Sequence, residues 1–283
     1  HKQILSYLNK HKLINNNQHG FRSGFNTSTA ALSVLNKVYQ AVDVKYYVLL
    51  ALLDFSKAFD CDDIEIFEYK LDNQFNFDTS AIGVISNFLK GRQYQVKYKS
   101  HLSEPKFPVA GFPQGSLTGH LFFSMYTNDM SSYLPHWSHN NMFCDDDAVI
   151  IIAEQIEDLE NYANSCLNNI YKYCNKNQLK LNLSKTKYMI IKNPNIAPMI
   201  NISIDNVMID MCVSYKYLGF IIDDQLSMND LVNHLCQKLS ICAGILSKCR
   251  PLLKIAQLKL LFTCLGLSYI NYYAIIMQPL SQT

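Results

Sequence analysis

The 283 residues contain nine cysteines, yet none stand at the C-x-x-C spacing used by zinc sites and dithiol redox motifs. An odd cysteine count without that spacing predicts reduced, mostly buried thiols in an intracellular protein, not a disulfide framework or a zinc site. Also missing is an apolar stretch of the roughly 18–20 residues that a bilayer crossing needs, which predicts a soluble chain. The start, His1-Lys2-Gln3-Ile4-Leu5, has neither an initiator Met nor a secretory pattern, and it reads as the middle of a larger polypeptide. There is no glycine-rich phosphate loop, dinucleotide fingerprint or Ser/His/Asp arrangement, and His120, His136, His139 and His234 form no metal-ligand spacing. Internal repeats and low-complexity linkers are absent too. Net charge is only +2, which neither demands nor forbids nucleic acid.

What is present is an apolar fraction of 49%, ample for a globular interior. Lysines recur locally: Lys176, Lys180, Lys185 and Lys187, then Lys238, Lys248, Arg250, Lys254 and Lys259. Basic faces of this kind can neutralise phosphates with salt-sensitive binding, or they can be ordinary solvated helix faces.

The densest chemical signal is Phe143-Cys144-Asp145-Asp146, two carboxylates between Met142-Phe143 and the apolar run 148–153. Strand formers flanking a polar pair predict a β-hairpin with the aspartates at its tip. Carboxylates so close together are costly to bury unless a cation neutralises them, so the tip suits a divalent metal. The run 48–53 reads as a strand buried on both faces that ends at Asp54, placing a third acid where it can meet the hairpin. Asp54, Asp145 and Asp146 together could hold two Mg²⁺ ions about 3.5–4 Å apart, as nucleotidyl transfer uses.

Three segments then fall in order: Asp54-Phe55-Ser56-Lys57-Ala58-Phe59-Asp60, Gly111-Phe112-Pro113-Gln114-Gly115-Ser116, and Phe143-Cys144-Asp145-Asp146. The set closely resembles the reverse transcriptase domain of non-long-terminal-repeat (LINE-like, jockey-type) retrotransposons. The segment from Gln18 to Gly24 with Ser28-Thr29 matches the family's fingers, the segment from Leu181 to Lys187 its palm lysine motif, and Tyr215-Lys216-Tyr217-Leu218-Gly219 its primer-grip turn. The resemblance spans about residue 1 to about 278.

It implies an α+β fold: a polymerase palm, an antiparallel sheet with helices on one face, with partial helical fingers and a C-terminal helical thumb. The expected divisions are fingers at 1–45, a palm with the catalytic core and remaining fingers elements at 46–225, and a thumb-like helical region at 226–283. The implied activity is RNA-directed DNA polymerisation, with an RNA template, a DNA primer and dNTPs as partners, two Mg²⁺ ions as cofactor and Mn²⁺ as a substitute. Asp54, Asp145 and Asp146 carry over as metal ligands. Lys185 matches the lysine that helps protonate the leaving pyrophosphate, though an exposed lysine also needs no special role. Phe59 matches the aromatic beside the incoming sugar, where a ring would clash with a 2′-hydroxyl; a core phenylalanine on a helix is the alternative. Gln114 and Gly115 would meet the nucleotide or template, or simply form a turn, with Gly115 permitting close backbone approach. Arg22 would bind a phosphate or form a structural ion pair. Tyr217, Leu218 and Gly219 would press against the primer, or make a generic strand-turn. Nuclear residence is implied only by what related elements do.

Departures from the family pattern bear on activity. A basic fingers motif that grips the triphosphate lies upstream of the Gln18 segment in the family. His120 stands at a usual Gly-Pro step, and Tyr272-Tyr273 stands for a usual Tyr-Gly. Asp147 stands where the family has a neutral residue, either facing solvent or adding like charge to the metal pair. A catalytically inactive nucleic-acid-binding relic is therefore a second reading. An RNA-synthesising polymerase is a third, which Phe59 opposes. From the pattern alone, Tyr94, Val96 and Tyr98 predict a half-buried strand with a basic outer face, and Asp60 a helix-start acid.

Overall fold

The computed structural model describes residues 1–108, 110–191 and 200–277. In chain order the elements begin with α1 (Lys2–His11), α2 (Thr27–Asp43), β1 (Tyr47–Leu53), α3 (Ile64–Asn73), α4 (Thr79–Leu89), β2 (Lys97–Tyr98) and β3 (His101–Leu102). There follow α5 (Gly119–Tyr126), β4 (Ser138–Phe143), β5 (Asp146–Ala153), α6 (Ile156–Lys176) and β6 (Lys187–Ile191). Four short strands come next: β7 (Ser203–Ile204), β8 (Val207–Met208), β9 (Asp210–Met211) and β10 (Ser214–Tyr217). The chain then runs through β11 (Phe220–Asp223), α7 (Asn229–Cys249), α8 (Ile255–Phe262) and α9 (Ser268–Met277), the last two joined by a π-helical turn.

The central sheet has the order β4-β5-β1-β6-β9, antiparallel except where β9 joins β6. β1 lies inside it because its residues offer apolar side chains in both directions. Leu49, Ala51 and Leu53 join one core with Val149, Ile151 and the buried stripe of α6 (Leu159, Ala163, Cys166, Leu167, Ile170). Val48, Leu50 and Leu52 join a second core with Ala148, Ile150, the α2 residues Val34, Leu35 and Val38, and Phe220, Tyr273 and Ile276. The helices expected against the sheet are there, and the second core adds α2 and the C-terminal helices across the other face. Leu50 is fully buried, and truncating it to Ala would cost about 2–5 kcal/mol.

Local chemistry sets the helix starts. Asn26 caps α2, accepting from Thr29 N at 2.9 Å while Thr29 Oγ1 accepts from Asn26 N at 2.9 Å. Asp63 caps α3 through Glu65 N and Ile66 N, so Asp60, ahead of that cap, is not the helix-start acid. Pro251 falls between α7 and α8, where it cannot continue the helix.

Three expectations need correction. Tyr94, Val96 and Tyr98 are 56%, 63% and 72% exposed, because β2 and β3 form a separate two-stranded sheet apart from the central one. Of the nine thiols only Cys144, Cys166, Cys174 and Cys242 are buried; Cys236 and Cys264 are exposed. Third, one helix among the described residues, Ile255–Met277, is long and apolar enough to cross a membrane, with a mean hydropathy of 1.6. Its polar residues (Gln257, Lys259, Thr263, Ser268, Asn271) break every uninterrupted run without lowering the average much. In this fold it docks by Tyr273 and Ile276 onto the second core. The last six residues of the thumb-like region lie outside the described residues.

Candidate active site

The β4–β5 hairpin closes at Phe143↔Asp146, leaving Cys144 and Asp145 as its turn, and β1 runs beside β5 in a register that pairs Leu53 with Asp147. Asp54, the residue after β1, therefore emerges at the same end of the sheet as Asp145 and Asp146. Asp146 is open to water on one side and crowded by protein on the other. Burial, and then the charges of Asp145 and Asp54, push its carboxyl up to about 6. An acid crowded by two like charges makes a site that a cation would relieve. All three offer hard carboxylate oxygen, the donor Mg²⁺ takes. The donor chemistry thus fits Mg²⁺, but among the described residues no group of three or more His, Cys, Asp or Glu side chains is placed to hold one metal ion together. Lys185 Nζ lies 3.9 Å from Asp54 Oδ2 with most of its side chain exposed, bringing one positive charge to the edge of the cluster.

Strand alternation sends Asp147 the other way. It is 2% exposed, and burial pushes its carboxyl up to about 8, opposed by the neighbouring Asn140 side chain. It neither faces solvent nor adds to the charge around Asp146, which corrects both alternatives read from the sequence.

The hairpin turn is held from outside the hairpin. Segment 17–20 lies along β4, with His19 N donating to Met142 O and Met142 N to Asn17 O, each at 2.8 Å. The fully buried Gln18 side chain accepts through Oε1 from Gly20 N at 2.8 Å and Cys144 N at 3.1 Å. A side chain at Gly20 would place its Cβ 2.6 Å from Cys144 N, so only glycine lets this loop approach the acidic turn. Arg22 Nη1 donates to the carbonyls of Asn15 (2.9 Å) and Gln18 (3.2 Å), and its guanidinium covers the Phe25 ring. Arg22 thus ties the loop through backbone carbonyls, using its Nη1 donor.

Phe59 is half-buried against Phe123, with ring centroids 4.9 Å apart. Gln114 Nε2 donates to Asp60 Oδ1 at 2.9 Å, pinning the Pro-Gln-Gly turn to the segment that follows Asp54. Gly115 has φ +77 with open space around it, a backbone conformation that by itself calls for glycine. Phe59, Asp60, Gln114, Arg92 and Tyr94 line a cavity of about 610 Å³.

On the other side of Asp54 a cavity of about 720 Å³ is lined by Lys185, Lys187, Asp210, Cys212 and Tyr215. The primer-grip expectation named Tyr217, Leu218 and Gly219, but Tyr217 is 3% exposed and its hydroxyl donates to Asn141 O at 3.2 Å. Leu218 O accepts from the Tyr272 hydroxyl, and Gly219 abuts the same ring. Tyr217 therefore anchors the β10–β11 turn from inside, and Tyr215 is the hairpin side chain that borders the acids. Burial, followed by Asp146 and Asp54, raises the Tyr215 phenol above its ordinary pKa. Tyr215 and Tyr217 stand two apart on one strand and share a face, so alternation gives no signal that tells the inward tyrosine from the one bordering the acids. Gln18 carried no local signal either, since its partner stands 126 residues away.

A family profile described as reverse transcriptase (RNA-dependent DNA polymerase) matches residues 1–222. The chain is 25% identical over 229 residues to the probable RNA-directed DNA polymerase from transposon BS of Drosophila melanogaster, covering 78% of this chain and 25% of that protein. It is 24% identical over 241 residues to the RNA-directed DNA polymerase from mobile element jockey of the same species, covering 83% and 26%. The chain thus spans about a quarter of the length of these relatives. Among solved structures, apo telomerase from Candida tropicalis truncated from the C-terminal domain superposes with a TM-score of 0.57 at 14% identity, over 80% of this chain and 43% of that one. The telomerase of that organism in complex with a TWJ fragment of telomeric RNA gives 0.56 at 12% identity, over 98% and 47%. These structural likenesses establish the α+β polymerase fold.

Proposed function

The chain belongs to the reverse transcriptase family, and from that premise we propose that it is the RNA-directed DNA polymerase domain of a non-long-terminal-repeat retrotransposon. Its substrates are a dNTP and a DNA primer annealed to an RNA template. Residues 1–45 serve as part of the fingers, 46–225 as the palm and 226–283 as the thumb. The observation that carries this reading is the meeting of Asp54 with Asp145 and Asp146 at one sheet end, where Asp146 feels both other charges. Mg²⁺ ions bound by these three carboxylates, or Mn²⁺ in their place, supply activation of the primer hydroxyl and neutralisation of phosphate charge.

The residues themselves do the following. The primer 3′-hydroxyl gives up its proton to water as its oxygen forms a bond to the α-phosphorus of the dNTP, the bond from that phosphorus to the bridging oxygen breaks, and pyrophosphate leaves. Lys185, beside Asp54, offers a proton and a positive charge to the departing pyrophosphate. Phe59 sits beside the sugar and disfavours a 2′-hydroxyl. Gln114, held by Asp60, borders the nucleotide cavity. Tyr215 and the β10–β11 turn border the cavity where the primer end lies. Priming from a nicked chromosomal strand would place the reaction in the nucleus.

Primer extension on poly(rA)/oligo(dT) with Mg²⁺ or Mn²⁺ tests the reading. Extension that is lost in Asp145→Asn is the expected result. Absence of extension by the parent chain, alongside retained salt-sensitive RNA binding, would overturn it in favour of an inactive relic.

A further inference from the structure

Five rings connect the elements around the nucleotide cavity in an unbroken series. Phe143, the residue before the acidic turn, stands 6.3 Å from Phe21 of the loop clipped to that turn. Phe21 lies 4.1 Å from the imidazole of His120 with planes 31° apart. His120 meets Phe59 at 5.3 Å, edge to face at 70°, and Phe59 rests on Phe123 at 4.9 Å. His120 is the second residue of α5 and the only member of the series that touches both the loop and Phe59. Phe59 thus has two walls. Phe123 is fully buried and fixed, whereas His120 is half-buried and itself leans on Phe21, which is 52% exposed.

We propose that His120 is a positioning residue for sugar selection: its ring holds Phe59 in place, so that the Phe21 loop, His120 and Phe59 together set the discrimination against a 2′-hydroxyl. The inference rests on the polymerase reading. Its physical basis is simple. An aromatic can exclude a hydroxyl only if it cannot swing away, and a ring packed on both sides has lost that freedom. The requirement is a flat side chain at position 120, not a titrating one, so Phe should replace His there. Proline, the residue at the corresponding step in the resembling enzymes, is tolerated in the first turn of a helix but offers no ring face to Phe21.

The experiment compares kcat/KM for dTTP and for UTP on poly(rA)/oligo(dT) in the parent chain, H120A, H120P and H120F, with thermal unfolding recorded for each. H120A and H120P are expected to lose about tenfold in deoxy-over-ribo preference, the equivalent of two ordinary ring contacts, through a lower KM for UTP. H120F should keep the parental preference. If H120A fails to fold, H120P, which keeps the helix start, decides. Parental preference in a folded, extending H120P, or a loss in H120F as large as in H120A, overturns the proposal while leaving the polymerase reading intact. A parent chain that does not extend overturns both.

Discussion

Two acidic regions of this molecule have opposite electrostatics. Asp129 is enclosed by partners: Lys70 Nζ at 2.7 Å, Tyr173 Oη at 2.7 Å and Gln74 Nε2 at 2.8 Å, with Lys70 only 3% exposed. Burial alone would raise its carboxyl, yet Lys70 and the hydrogen bonds hold it below the ordinary value. At the sheet end, Asp54, Asp145 and Asp146 face one another with a single lysine at 3.9 Å, and Asp146 is pushed up to about 6. The first region is complete within the chain. The second becomes complete only with something positive added.

The sharpest way to break the comparison is to neutralise one acid in each region. Asp146→Asn should lower primer extension by at least about 10³-fold, while metal-free unfolding shows stability unchanged or raised, because a like charge is removed. Asp129→Asn should do the reverse. It should leave kcat within a fewfold but cost about 3–5 kcal/mol in denaturant unfolding, since Lys70 is left buried without its counter-charge. Equal stability losses in the two variants would erase the distinction.

A third acid tests whether burial without a partner behaves as claimed. Asp62 is fully buried with neither oxygen hydrogen-bonded. Burial and then Asp60 push its carboxyl up to about 8, Lys70 opposing. An unfolded aspartate titrates near about 3.9, so the neutral form is the one the fold prefers. The folded-state advantage is full below that value and is lost as pH rises towards 8. Asp62→Asn should therefore be more stable than the parent by about 5 kcal/mol at pH 8, the gap closing towards pH 4 in paired urea titrations. A gap independent of pH would show that Asp62 is not neutral in the fold.

Smaller effects sharpen the active-site side. Lys185→Ala should lower kcat about tenfold with KM for dNTP little changed, as expected for a group that acts on the leaving pyrophosphate. Loss confined to KM would reassign it to substrate binding. Asp210→Asn, which opens the exposed pair with Lys187, should change stability by no more than about 0.5 kcal/mol.

How far these regions could be read from sequence follows from the same contrast. The strand run ending at Asp54 and the hairpin around Asp145-Asp146 announce themselves locally, because apolar periodicity and turn residues act over a few positions. The buried Lys70–Asp129 pair could not be read this way. In the stretch Glu65–Asn73 a lysine looks solvent-facing, and its partner stands 59 residues on. Tyr217 was placed on the primer side for the same reason: nothing nearby in sequence reveals that Asn141 accepts its hydroxyl. The carbonyls of Asn15 and Gln18 that accept from Arg22 are equally hidden, since nothing in the motif marks them as partners. The exposed β2–β3 hairpin is the converse case. Its alternation reads as a buried face opposite a basic one, yet Tyr94, Val96 and Tyr98 are all exposed, because what packs on a strand is set by elements distant in sequence. Motifs mark where chemistry is placed, and long-range contacts decide which members of a motif are left free to perform it.

The Gln18 clip has a kinetic consequence. The N–H of Cys144 finds its acceptor on a side chain 126 residues earlier, so the acidic turn reaches its final shape only after that whole intervening loop has closed. Deuterium uptake at Cys144 should then track release of segment 17–20 and outpace uptake at Val149 or Ile150 in the middle of the same hairpin. The reactive end of the sheet would be the last part to mature and the first to loosen, while the strands that carry it stay intact.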